Sequence, residues 1–361
     1  MKSIKSFFIL FLVSCTLHSL FALSYDDAWK ILDTARIKYE SGDVGQALKY
    51  AENAKEIRKN ESTSAVNSLE NALKPLAVQQ VGDAISDVEV ILTERMENDA
   101  LRCIHKLTDL YGNSYFNNSI TNIKEFYRKR TEYPEADYLI AKIYMQEGEY
   151  TAAAGFYEKA LENWDVLDVP DERYDILYDA AELARLQKKE NSFEKYLLMV
   201  LQENTDFVKD DAYTPYLKAI ITYSLREQSI DQFFLLYRSA HYKSLNALLL
   251  LTDFYITKNE FERAFNTGIL AALTSFTRIY EILTSRNKKY SYTSLKLFFQ
   301  ESLKYRDVKE WMNKNNVWRG FYNFGRLLSF KGNEKLALQI FEVMKEVCPD
   351  RTIVNLISLE K

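Results

Sequence analysis

Apolar side chains recur along this chain at the i, i+3, i+7 spacing of amphipathic helices, most clearly between Trp318 and Arg351. Phe321, Phe324 and Leu328 mark one helical face, with Gly325 among them, where a second helix can come close. Gly332-Asn333 then interrupts the pattern at a place where positive φ is easily adopted, and Ala337, Phe341 and Met344 carry the apolar face of a returning helix. Pro349 closes the unit. The result is a helical hairpin of 34 residues with every junction marked.

Looser copies of this hairpin lie upstream. The first runs over 28–61, with Ile31 and Ala35, a Gly42-Asp43 turn, then Ala47, Ala51 and Ala54. The clearest internal copy, 134–167, has Pro134 at a helix's first turn, Ala141 at the close contact, Tyr144, the Gly148 turn, and Ala153, Tyr157 and Ala160. Three more, at 174–207, 213–246 and 245–278, place Lys188, Glu227 and Asn259 where the turn glycine is expected. The long intervals 62–133 and 279–317 are helical in pattern but lack the small-residue landmarks. In the first, Ile85, Val88, Leu92 and Met96 form a stripe, with His105 where a small residue is wanted and Pro75 set to kink or end a helix. In the second, Leu295, Phe298, Phe299 and Leu303 precede Val308, Trp311 and Met312.

The 34-residue spacing, with bulky, small, alanine, aromatic and proline positions at these offsets, resembles the tetratricopeptide repeat. That resemblance implies an all-α, right-handed α-solenoid from 25 to 361, each hairpin burying its face against its neighbours. Composition agrees: among 361 residues, 47% are hydrophobic and only ten are glycine and five proline, so the chain can build a large core but has little turn chemistry for an all-β fold.

Residues 1–24, MKSIKSFFILFLVSCTLHSLFALS, have two lysines, an apolar centre and small residues at the end, the layout of a secretory signal peptide. Three outcomes stay open. Cleavage after Ser24 would release the chain; Leu12-Val13-Ser14-Cys15 resembles the lipobox of bacterial lipoproteins and would make Cys15 a lipidated residue; an uncleaved segment would attach the chain to a membrane through its N-terminus. Each gives an exported protein, periplasmic or membrane-attached in the cell envelope.

Signals for chemistry are few. The formal charge is −4, so general attraction to phosphate backbones is not expected and nucleic acid is excluded as a partner. The basic runs Arg128-Lys129-Arg130 and Arg286-Asn287-Lys288-Lys289 read as solvated helix ends. Gly320 to Gly325 has P-loop glycine spacing but continues into Arg326-Leu327 instead of Lys and Ser or Thr. His18, His105 and His241 are too scattered for a metal site, and Cys103 and Cys348 read as two separate buried thiols. Asp171-Glu172 and Asp210-Asp211 fall at expected helix starts, where carboxylates favour the positive end of the helix dipole. No enzyme, cofactor or metal is implied.

The resemblance does imply a binding surface. In the tetratricopeptide family, positions 2, 5, 9 and 12 of each copy face a concave groove. Carried over residue by residue, these include Tyr138, Lys142 and Met145, then Tyr178, Glu182 and Arg185, then Tyr322 and Arg326. Such a mixed aromatic and charged wall, with its residues exposed, is suited to another protein or an extended peptide. The family's clamp for chaperone carboxyl termini needs Lys at position 5 and Asn at position 9, and no copy has them. The expected function is a non-catalytic scaffold of the envelope; the alternative is a lipidated subunit of an outer-membrane or cell-wall assembly complex.

Overall fold

A computed structural model describes residues 27–73, 129, 131–202, 204–207 and 215–360. The leader with Cys15, Pro75, His105, Cys103, most of the 62–133 interval and Asp210-Asp211 lie outside the described residues. Among the described residues there are fifteen α-helices and no strand. They divide into two compact units, 1–179 and 180–361, with the boundary inside one helix.

In the first unit, α1 (Asp27–Glu40) returns as α2 (Val44–Leu73), and α3 (Pro134–Gln146) returns as α4 (Tyr150–Glu162). Helix α5 (Glu172–Leu186) crosses the boundary. In the second unit follow α6 (Glu190–Leu201), α7 (Pro215–Glu227), α8 (Ile230–Leu236), α9 (Leu245–Thr257), α10 (Phe261–Arg286), α11 (Leu295–Ser302), α12 (Arg306–Lys314), α13 (Val317–Phe330), α14 (Glu334–Val347) and α15 (Arg351–Leu359).

The hairpin turns share one construction. Gly42, Gly148 and Gly332 have φ of +81°, +80° and +75°, and Lys188 and Asn259 hold the equivalent place at +57° and +60°. After each of these five residues the next N–H donates to the carbonyl five residues back: Asp43 to Lys38, Glu149 to Tyr144, Lys189 to Ala184, Glu260 to Tyr255 and Asn333 to Leu328, at 2.8–2.9 Å. This is the left-handed helix stop that satisfies a carbonyl left open at the helix end. In the hairpin of α7 and α8 the sequence points to Glu227, but the positive φ, +50°, is at Gln228, so that turn lies one residue later.

Small residues sit where helices touch. Ala47, Ala51 and Ala54 of α2, Ala141 of α3, and Ala153 and Ala160 of α4 are fully buried. In α13 a Cβ on Gly325 would lie 2.5 Å from Phe341 of α14, and one on Gly320 would lie 2.9 Å from Leu249 of α9. The P-loop-like glycine pair is therefore a packing pair inside a helix.

The second unit departs from strict neighbour-to-neighbour stacking. Helix α6 packs on α9, joined by the Phe193–Phe254 ring contact at 5.4 Å and by Tyr255 donating to Glu194 at 2.9 Å. The intervening α8 instead reaches the last hairpin and α10: Phe234 meets Phe321 of α13 at 5.6 Å and Phe276 of α10 at 4.7 Å, and Phe233 meets Phe324 of α13 at 5.7 Å. Gln339 of α14 accepts from the Ile230 N–H and donates to the Gln228 carbonyl. The expectation that each hairpin packs only on its sequence neighbours does not hold here. The reason is burial: α8 and α11, of seven and eight residues, each present an adjacent phenylalanine pair that they cannot cover alone. Phe298 stacks on Phe276 at 4.3 Å and Phe299 meets Trp318 at 4.8 Å, closing one aromatic core. Each such side chain contributes about 1.5–3 kcal/mol by leaving water.

Candidate functional site

First helices place the candidate residues, and the hairpin register decides which of them meet. In the first unit, α1 and α3 lie side by side, and the Lys142 ammonium stands over two rings, 5.6 Å from the centre of Tyr39 and 5.3 Å from that of Tyr138. Beside this spot Tyr138 donates to Asp179 of α5 at 2.8 Å, and Arg36 of α1 pairs with Glu172 of α5 at 2.9 Å. Burial, and then the neighbouring Asp179 carboxylate, push the hydroxyl pKa of Tyr138 far above its ordinary value, so it acts as a neutral donor. The three first helices α1, α3 and α5 thus share a wall of rings and matched charges.

Not every candidate faces outward as expected. Tyr138 and Tyr322 are buried, 8% and 7% exposed, because a neighbouring helix or the chain's end covers each. The Met145 sulfur accepts from Tyr157 at 3.4 Å, so this side chain packs within its own hairpin. Tyr178 is half-buried. Glu182 and Arg185 form a two-pronged ion pair along α5, both hydrogen bonds 2.6 Å, with the arginine exposed.

In the second unit α9 and α13 repeat the arrangement. Arg319 pairs with Asp253 at 2.8 Å, and Asn323 donates to the other oxygen of Asp253 at 2.8 Å. Tyr322 donates to Glu360 at 2.7 Å, and Arg326 reaches the same oxygen at 3.0 Å. Burial and the Glu360 hydrogen bond push Tyr322 up to about 12.

Arg36, Tyr39, Asp253 and Arg319 were not singled out from the sequence. The signal was available, since they stand at positions 9 and 12 of the copy at 28, position 9 of that at 245 and position 2 of that at 318. Glu360 lies beyond the last copy, where the repeat offsets say nothing.

The residues set aside as structural take ordinary places. His241 shares a hydrogen bond with Thr205 at 2.9 Å, Lys129 pairs with Asp165 at 2.5 Å, and Arg286 pairs with Asp307. Cys348 is a buried free thiol, pushed up to about 11 by burial. Among the described residues no group of histidine, cysteine and carboxylate side chains could hold a metal ion, and no helix is long and apolar enough to cross a membrane.

An uncharacterized protein of Treponema pallidum (strain Nichols) is 28% identical over 324 residues, spanning 90% of this chain and 87% of that protein. An uncharacterized protein of Borreliella burgdorferi strain B31 is 24% identical over 237 residues, spanning 59% of this chain and 73% of that one. Residues 138–165, inside the copy at 134–167 and covering most of α3 and all of α4, match the family described as Tetratricopeptide repeat. With that repeat and the hairpins built on the same turn around it, the chain is a tetratricopeptide-like helical-repeat protein.

Proposed function

We propose that this chain is a non-catalytic scaffold of the cell envelope that binds another protein, or an extended peptide, on the first-helix faces of its hairpins. The observation that carries the reading is Lys142, whose ammonium is held over Tyr39 and Tyr138 at the junction of two first helices. A cation held over aromatic faces gives an anchor for a partner's carboxylates and apolar side chains. The signal-peptide layout of residues 1–24 supports the envelope location, with the chain free there or attached through its N-terminus.

The test is capture of partners by the tagged full chain from its native envelope, with mass spectrometry of the captured proteins and of the mature N-terminus. Lys142→Ala and Arg185→Ala are expected to weaken capture, by about 2 kcal/mol for at least one of them. Capture should fall as salt screens the charges. Glu158→Ala, exposed on the second helix α4, is the control. Loss of capture with Glu158→Ala and none with the two cation changes would move the binding surface to the second helices.

A further inference from the structure

Past Pro349 the chain carries one more helix that belongs to no hairpin. Helix α15 is nine residues long and is reached through an extended stretch, with ψ of 122° at Cys348 and 102° at Asp350. The Asp350 carboxylate caps it by accepting from the N–H groups of Thr352 and Ile353. It lies against α13 and α14, with Ile353 and Ile357 buried at 7% and 1% exposure, while Leu356 and Leu359 remain exposed. One step beyond its end, Glu360 takes the Tyr322 hydroxyl and the Arg326 guanidinium on a single oxygen. These two residues stand at positions 5 and 9 of the last copy, the register by which the wall of the first unit is also built. A helix this short is marginal on its own, so α15 keeps its form only while docked. Its attachment is two aliphatic side chains four apart and a carboxylate three residues later.

We infer that α15 with Glu360 is a displaceable internal ligand of the last hairpin, and that the surface it covers on α13 and α14 accepts a short amphipathic helix from a partner protein, with two aliphatic residues spaced i, i+4 and a carboxylate at i+7. This deepens the binding-scaffold reading above and rests on it. Tyr322 and Arg326 receive the carboxylate, and the groove of Ile353 and Ile357 receives the aliphatic pair. The resting chain competes for its own site, so a partner binds at an affinity reduced by the fraction of time the tail is docked.

The probe is a fluorescent peptide of this chain's residues 350–361, titrated by anisotropy against full-length protein. In a chain carrying Ile353→Asp and Ile357→Asp the internal tail cannot dock, and the peptide should bind about tenfold tighter than to the unaltered chain. Replacing the peptide's glutamate by glutamine, or Arg326→Gln in the chain, should weaken that binding about fivefold, the loss of one partly exposed ion pair. A second measurement leaves the isoleucines in place: in Glu360→Gln, amide exchange over 352–359 should quicken about fivefold while α13 and α14 stay protected. No peptide binding to the tail-disabled chain, binding indifferent to both charges, or unchanged exchange in Glu360→Gln would each overturn the inference. A dimer of the unaltered chain that disappears when the tail is disabled would assign the acceptor to a second copy's tail and overturn the partner-protein form. Peptide binding without any envelope partner captured removes the scaffold reading and leaves the acceptor. Capture that depends on Lys142 or Arg185 without peptide binding does the reverse.

Discussion

Adding one methyl group at Gly325 separates packing from helix propensity. In a helix interior Ala is favoured over Gly by about 1 kcal/mol, so propensity alone predicts that Gly325→Ala stabilises. The structure predicts the opposite. The new Cβ would sit 2.5, 2.9 and 3.1 Å from Cε1, Cζ and Cδ1 of Phe341, where carbon contacts need about 3.5–4.0 Å. The ring has little room to retreat, being 5% exposed and set beside Tyr322 with centroids 6.2 Å apart. Overpacking of this kind costs about 1–3 kcal/mol, so after the propensity gain the net loss is about 1 kcal/mol, or about 2–4 °C in Tm for a folding unit of this size. Gly155 is the internal control: it lies within α4, is exposed, and a Cβ there meets nothing within 4 Å. Gly155→Ala should raise stability by about 0.5–1 kcal/mol. Differential scanning calorimetry of both variants reads the two signs. Within a Phe341→Leu background, which removes the obstructing ring edge, Gly325→Ala should show the alanine gain. If Gly325→Ala is as stable as the unaltered chain, helices α13 and α14 do not meet at this glycine and the hairpin register is wrong.

Two further predictions concern the turns and the buried charges. Lys188 holds φ of +57°, which costs a side-chain-bearing residue about 1–2 kcal/mol, so Lys188→Gly should raise stability by about 0.5–1 kcal/mol after the glycine's larger unfolded-state entropy; an unchanged urea midpoint would count against the turn. Glu135 at the start of α3 is buried, accepts from the Asp168 N–H with one oxygen and has no hydrogen-bond partner for the other. Burial, and then the Asp168 charge, push its pKa up to about 7. The folded state therefore holds this proton more tightly than the unfolded one, whose carboxyl titrates near 4.5. The associated stability is complete below that value and is lost as pH rises through about 7. Glu135→Gln should differ little from the unaltered chain at pH near 4.5. It should exceed it by roughly 2–3 kcal/mol at pH near 8.5, since each tenfold difference in proton affinity between the two states is worth about 1.4 kcal/mol. Urea melts at the two pH values decide it, and an advantage independent of pH would refute it.

Much of the architecture was readable because hairpins leave marks in sequence at their turns. Gly42, Gly148 and Gly332 announce left-handed helix stops, and spacing located the same stop at Asn259, a residue type that tolerates it, and at Lys188, where side-chain chemistry gives no hint. It missed Gln228 by one residue because the small residue of α7, Ala219, is exposed, while the buried face is Leu217, Ile220, Ile221 and Ser224. The wall was half legible for a related reason. Periodicity tells which side chains share a face, as with Tyr138 and Lys142, but it does not tell what lies across from that face. Tyr138 was expected to be open and is covered by its neighbours; Tyr322 is covered by a tail that carries no repeat signature. The aromatic core was the least legible, because Phe234 and Phe298, from pairs far apart in the chain, meet on Phe276 while repeat logic assumes neighbours.

The two notches of α13 have a mechanical consequence. Gly320 and Gly325 are five residues apart, so they open on faces about 140° apart and about 7.5 Å apart along the axis, one admitting Leu249 and the other Phe341. A rod keyed from two directions at two heights resists both rotation and sliding, since either movement brings a side chain toward a space that now holds only a glycine hydrogen. Helix α13 is therefore keyed to α9 and α14 at once, so a shift of either neighbour along or around it meets a side chain already seated in a notch.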